Sequence, residues 1–258
     1  MEKKGISGST LKIIAIITMV TDHIAAAILG RFLLLEGIGG LNVENTAAAA
    51  EWFSAHALLY GSYTVMRAVG RIAFPIFCFL LVEGFTHTND MKKYAIRLGL
   101  FALISEVPFD LAFQGTALEF GYQNVFFTLA IGLVAMMLFR AVESNEELYA
   151  PIRYLLLLLI AVLCMVWAHV LHTDYAARGV FSILVLYLLR GKGRLQLLIG
   201  ALSFCWEPTA LFGFIPLAFY NGERGLKLKY LFYAIYPAHL FLIYLVCAAM
   251  GIAGTAVV

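Results

Sequence analysis

Asp22 and His23 stand side by side in the middle of an apolar stretch, LKIIAIITMVTDHIAAAIL. Ionisable side chains at bilayer depth are costly unless they are paired or face a cavity, so they mark a working site by default. Histidine titrates near neutral pH and can serve as a general base or carry an acyl group. Lys12 lies eleven residues before His23. At helical pitch that spacing returns to within about 20° of the same face and covers about 16 Å along the axis. A cation near the membrane surface and an imidazole near its midplane thus form one stripe, about as long as an extended pantetheine arm. This spacing would let a cytosolic acyl-CoA rest its phosphates near Lys12 and present its thioester at His23. Asp22 lies about 100° around the helix from His23 and is expected to pair with an arginine or a second helix. The carboxylate that orients His23 is expected from elsewhere, Glu106 or Glu207 by depth.

The elements that must position these groups are apolar helices. Of the 258 residues, 62% are hydrophobic and 13% charged, with a mean hydropathy of +0.89. A soluble domain carries about 25% charged residues, so the chain is an all-α, polytopic integral membrane protein. Apolar segments lie near 11–33, 64–86, 94–113, 122–140, 152–171, 176–190, 195–220 and 228–251. They leave room for eight or nine crossings around a polar tunnel and for no separate soluble domain, so residues 1–258 form a single unit. The net charge of +2 gives no reason to expect nucleic acid. Cys78, Cys164, Cys205 and Cys247 lie singly in apolar runs without metal-ligand or disulfide spacing.

Lys3, Lys4, Lys92, Lys93, Arg97, Arg140, Arg153, Arg190, Lys192 and Arg194 fall in alternate loops, which places those loops and the N-terminus in the cytoplasm of a plasma-membrane protein. One segment resists a single crossing. If 195–220 crossed once, the loop NGERGLKLK would lie outside, against the positive-inside bias. Pro208 removes a backbone donor beside Glu207, so a broken hairpin is expected near 195–220, with Glu207 close to a site.

Counted from the cytoplasmic ends of their spans, His23, Glu106, Arg71 and His239 share one level, at about 16 to 20 Å. Arg67/Arg71 and Glu106/Asp110 are each spaced i,i+4. Two single-face stripes on antiparallel neighbouring spans are expected from them, paired rung for rung. They could be buried ion pairs or the lining of a polar cavity. His169, His172 and Asp174 close the outer end of a span, where a metal would lack a third or fourth ligand, so none is expected. Asp174 and Arg178 could line an acceptor's entrance.

The stretches LKIIAIITMVTDHIA, GRIAFPIFCFLLVEGF, LISEVPFDLAF, NVFFTLAIG, DYAARGVFSILVLYL, FYNGERG and KYLFYAIYPAHLFLIYL, in this order, resemble the TraX family of membrane proteins, named for acetylation of conjugative pilin. That family in turn resembles the transmembrane acyltransferases, whose acyltransferase-3 members carry Arg or Lys, ten residues, then His in the first span. Lys12 and His23 match that spacing, whereas Arg67 and Arg71, with three residues between them, echo the related Arg-x-x-Arg only loosely. The resemblance implies transfer of an acetyl or other acyl group from cytosolic acetyl-CoA to an amine or hydroxyl outside, on a peptide, a sugar or an envelope polymer.

The expected catalytic set is His23, Asp22, Glu106 and Glu207. Lys12, Arg67, Arg71 and His239 would hold the donor, and Asp110, Asn124, His172, Asp174 and Arg178 the acceptor. A proton-coupled transporter using the same Asp/His/Glu/Arg level is the alternative, and an assembly factor whose polar level only fixes helix packing is a third.

Overall fold

A computed structural model describes residues 5–226 and 229–257. Lys3 and Lys4 lie outside the described residues. Its helices are α1 (Gly8–Ile24), α2 (Gly30–Leu35), α3 (Thr46–Ala55), α4 (Ala57–Gly70), α5 (Ala73–His87), α6 (Met91–Phe113), α7 (Val125–Glu143), α8 (Ala150–Val170), α9 (Ala176–Leu188), α10 (Arg194–Leu202), α11 (Phe214–Ala218) and α12 (Lys229–Ala249). The chain is therefore the all-helical, polytopic membrane protein that its composition predicts. Among the described residues five helical runs are long and apolar enough to cross a bilayer, namely Gly8–Leu35, Ala57–His87, Val125–Glu143, Ala150–Val170 and Leu231–Ala249. At 23 residues α6 matches them in length, but it carries Lys92, Lys93, Arg97, Glu106 and Asp110.

Local chemistry sets several of the ends. Ser7 caps α1 by accepting from the Thr10 amide at 3.3 Å, Asp90 caps α6 through the Lys93 amide at 2.9 Å, and Asn124 caps α7 through the Phe126 amide at 3.0 Å. Directly after His23, α1 widens into a π-turn over Ala25–Leu29 before continuing as α2. Such a turn inserts one residue and re-aims the helix beyond it, and it is frequent at functional sites. The side chain re-aimed in this case is Arg31, fully buried. Its guanidinium donates to the carbonyls of Ala27 (2.8 Å), Ala112 (2.7 Å) and Thr255 (2.8 Å), which ties α1, α6 and the C-terminal segment together.

Six helices close a ring, α1 against α12, α12 against α6, α6 against α7, α7 against α9, α9 against α5, and α5 back to α1. On the rim, α8 packs mainly against α7 and α9 and exposes Leu155, Leu158, Leu159, Val162, Leu163 and Val166, a face that suits lipid and not water.

The 195–220 segment is a hairpin, as its charges and Pro208 predict. α10 ends at Leu202, a 3-10 turn runs from Pro208 to Gly213, and α11 returns. Its far end meets the start of α1. The Ile6 amide donates to Phe219 O at 2.9 Å, Asn221 donates to Ile6 O at 3.0 Å, and Gly8 donates to Glu223 O at 2.7 Å. The segment thus starts and finishes at the basic end of the ring, where Lys12, Lys92, Lys93, Arg140, Arg190 and Arg194 gather. In a cysteine-free background, Ser144→Cys and Glu223→Cys should react with an impermeant maleimide from the same side of the membrane, and Asn42→Cys from the other. Labelling of position 223 together with position 42 would refute the hairpin.

Candidate functional site

Two polar assemblies meet at Asp22-His23, one on each side of α1. On the α12 side, His23 Nδ1 lies 2.7 Å from Nε2 of His239, with the two rings within 9° of parallel. His239 Nδ1 lies 2.8 Å from the carbonyl of Ile235, one turn earlier in α12. A carbonyl can only accept, so His239 holds its proton on Nδ1, and the Nε2 of a neutral imidazole must then accept. His23 therefore donates from Nδ1. Its Nε2 is left as a lone pair, the form a general base needs. His239 is the group that orients His23. The expectation that Glu106 or Glu207 does so is corrected, because both carboxylates are committed elsewhere.

On the α4 side, Asp22 pairs with Arg67 Nη1 at 2.6 Å, the arginine partner expected of it. The helices can approach this closely because Gly70 lacks a side chain, and a Cβ there would collide with Asp22. Arg71 turns towards the hairpin, with Nε 3.7 Å from Glu207 Oε2 and Nη1 3.4 Å from the Tyr175 hydroxyl. Glu207 at the hairpin's break thus reaches the interior, as its neighbour Pro208 predicts. Tyr175 has φ +64°, a left-handed conformation costly for a tyrosine, and its ring stacks on Phe74 at 3.7 Å. Beyond it Asp174 accepts from the Tyr122 hydroxyl at 2.7 Å. Burial in the α8–α9 connector lifts the Asp174 carboxyl to about 6, while the Tyr122 hydrogen bond and Arg71 pull the other way.

The rung-for-rung pairing of Arg67/Arg71 with Glu106/Asp110 does not occur. The two stripes are on helices that are not neighbours, since α4 packs on α1 and α6 on α12 and α7. Glu106 instead accepts from the side-chain amide of Asn124, and Asp110 from the Glu119 amide at 2.8 Å. These contacts pin the α6–α7 loop and the cap of α7. At the end of the bundle opposite the basic one His172 and Arg178 are exposed, and Arg178 sits over the Trp206 ring. Among the described residues no cluster of His, Cys, Asp and Glu could hold a metal ion.

At the basic end the ring of helices encloses a cavity of about 490 Å³, walled by α1, α5, α6, α7 and α12. Lys12, His87, Arg97 and Arg224 stand along its wall towards this end, with Glu83 among them, and the walls turn apolar inward through Ile16, Phe77, Leu98 and Leu129. Between Gly8 and Met19 the lining covers about 16 Å of α1. Lys12 lies over the Phe232 ring at 5.1 Å, and the His23 ring meets Tyr236 edge-on at 5.9 Å. The Lys12–His23 stripe therefore faces α12, where Phe232, Tyr236 and His239 form its counterpart at i, i+4 and i+7.

The cavity lining stops at Met19 and Tyr236, one ring short of His23, and neither Arg67 nor Arg71 belongs to it. In the sequence Arg97 and Arg224 read only as loop charges, and Tyr236 only as the residue before Pro237 in the last span. The helical spacing of Phe232, Tyr236 and His239 is the signal that could have found the last.

A polytopic membrane protein with a cation-lined cavity at one end and a paired histidine just beyond its floor is the class that this fold and site define. The profile of the TraX protein family matches residues 7–247, and the chain belongs to that family. It is 31% identical over 265 residues to a probable fimbrial assembly protein, FimC of serogroup H1, from Dichelobacter nodosus, covering 92% of this chain and 94% of the relative. No solved structure matches.

The Asp22–Arg67 pair also bears on stability. Arg67→Ala strands the Asp22 carboxylate inside the bundle and should cost about 3 kcal/mol. Asp22→Asn in the same chain should recover part of that loss, as read by thermal unfolding in detergent. Equal melting of all three proteins would show that the pair does not hold α1 to α4.

Proposed function

We propose that this chain is a membrane acyltransferase, with the basic end in the cytoplasm. Acyl-CoA enters the cavity there, and an acceptor amine or hydroxyl approaches from the extracytoplasmic side. The observation that carries the reading is the hydrogen-bond chain Ile235 O, His239, His23, which leaves a base on His23 beyond the floor of a cavity entered past Lys12, Arg97 and Arg224.

The cavity's chemistry fits such a donor from end to end. Its cations suit the phosphates of coenzyme A, while its apolar inner walls and length of about 16 Å suit the pantetheine arm and a short acyl group. The Nε2 of His23 takes the acceptor's proton as the acceptor attacks the thioester carbonyl carbon. The carbon–sulfur bond then breaks, and coenzyme A leaves as a thiolate that receives the proton back from His23. A thioester lies uphill of an ester or amide, so the protein's tasks are positioning and proton transfer.

The relative named as a probable fimbrial assembly protein favours a subunit of a surface fibre as the acceptor. On this reading Asp22, Arg67, Arg71 and Glu207 hold α1 and the hairpin in place beside His23 and contribute no step of their own.

The test is purified protein in proteoliposomes given labelled acetyl-CoA and acceptor. His23→Ala should lower transfer by about 100-fold or more with folding intact, the scale of a lost general base. His239→Gln, whose amide oxygen can still accept from His23, should retain more activity than His239→Leu. Lys12→Ala should raise the KM for acetyl-CoA with little change in kcat. Full transfer by His23→Ala would remove the mechanism. Flux of a solute without acyl transfer would favour the transporter reading.

A further inference from the structure

Tyr236 is only 3% exposed, and among the described residues its hydroxyl donates to no acceptor; the backbone amide of Val125, which can only donate, is the polar group beside it. A buried O–H without an acceptor is expensive and calls for an explanation. The residue belongs to the floor of the cavity, where its neighbours in the lining, Met19, Leu98, Val125, Phe126 and Leu129, have apolar side chains. Its ring is held on three sides, by His23 at 5.9 Å, His239 at 5.5 Å and Phe126 at 4.7 Å. The phenol is thus a donor held in place among apolar walls, beside the base proposed for acyl transfer. Preorganised donors of this kind act most strongly on an oxygen that gains negative charge during reaction, since they need no rearrangement and no water competes.

We propose that the Tyr236 hydroxyl donates a hydrogen bond to the carbonyl oxygen of an acyl thioester seated in the cavity, making it a catalytic residue alongside His23. The assignment rests on the acyl-transfer reading. As the acceptor's nitrogen or oxygen bonds to the carbonyl carbon, the carbonyl π pair moves onto its oxygen, and the Tyr236 O–H stabilises that oxyanion without giving up its proton. When the carbonyl re-forms, the carbon–sulfur bond breaks and the electrons leave on sulfur, which is protonated by His23. A free thiol at the same depth offers the hydroxyl a far poorer acceptor, so the residue also favours loaded donor over spent coenzyme A.

Tyr236→Phe keeps the ring and its three aromatic contacts while deleting the donor. In proteoliposomes kcat should fall by about 100-fold, as for loss of one oxyanion donor, with the KM for acetyl-CoA changed far less. The ratio of affinities for acetyl-CoA and free coenzyme A, measured by calorimetry on the same detergent-solubilised protein, should fall towards one. If Tyr236→Phe disturbs the fold by circular dichroism, 3,5-difluorotyrosine placed at position 236 retains the hydroxyl and should retain transfer, whereas 4-fluorophenylalanine at the same position should not.

Wild-type kcat and an unchanged affinity ratio in the variant lacking the hydroxyl would overturn the assignment and leave the acyl-transfer reading intact. Wild-type protein that binds acetyl-CoA but never transfers its acyl group would overturn that reading, and the affinity ratio would then still decide whether Tyr236 meets the carbonyl. Absence of any binding by the wild type would overturn both.

Discussion

A charged group inside a bilayer has to find its partner within the protein, and in this chain the partner of Asp22 is Arg67. That contact requires α1 and α4 to touch at Gly70 and fixes the rotation of α1 about its own axis. With Asp22 turned to α4, the neighbouring His23 is delivered to α12, about 100° away. Adjacent residues therefore serve two walls of the bundle. The carboxylate that looks like a catalytic partner in sequence anchors the helix, and an imidazole from a span more than two hundred residues later does the orienting. The same logic governs Arg71, which draws the tip of the α10–α11 hairpin and the Tyr175 turn towards the protein interior.

His239 shows how a protein can select a tautomer without a carboxylate. Its Nδ1–H is committed to Ile235 O within its own helix, so the far nitrogen can only accept, and the constraint passes to His23. Because no net charge is buried in this relay, it costs the membrane interior less than an aspartate in the same place would. The backbone of α12 thus sets which nitrogen of His23 is free. The π-turn after His23 adds a second constraint from the other direction, since it returns the chain to a register in which Arg31 reaches three carbonyls at the opposite end of the bundle.

The cavity has a division of labour set by its depth. Towards the basic end, cations sit where water can solvate them and screen their repulsion. Further in, the walls are apolar side chains of α1, α5, α6, α7 and α12, and the described lining ends at an aromatic floor. The polar tunnel expected from sequence is in this respect a blind cavity with a polar rim. The second polar assembly lies behind its floor and is organised by ion pairs and tyrosine hydroxyls.

Membrane insertion, all-helical structure, the break at Pro208 and the interior placement of the Asp22-His23 level were legible in the sequence, because hydropathy, missing backbone donors and misplaced charges are local properties that bilayer energetics reads directly. Lys12 and His23 sharing a face was likewise legible, since helical pitch alone decides it. The partners were not. Depth along the bilayer normal grouped His23, Arg71, Glu106 and His239 at one level, yet two groups at equal depth meet only if their helices are neighbours, and neighbour order around the ring is not encoded in pitch or hydropathy. It is set by side-chain packing of every helix against the next, so the tertiary structure alone decided that Asp22 meets Arg67, that Glu106 meets Asn124, and that His23 meets His239.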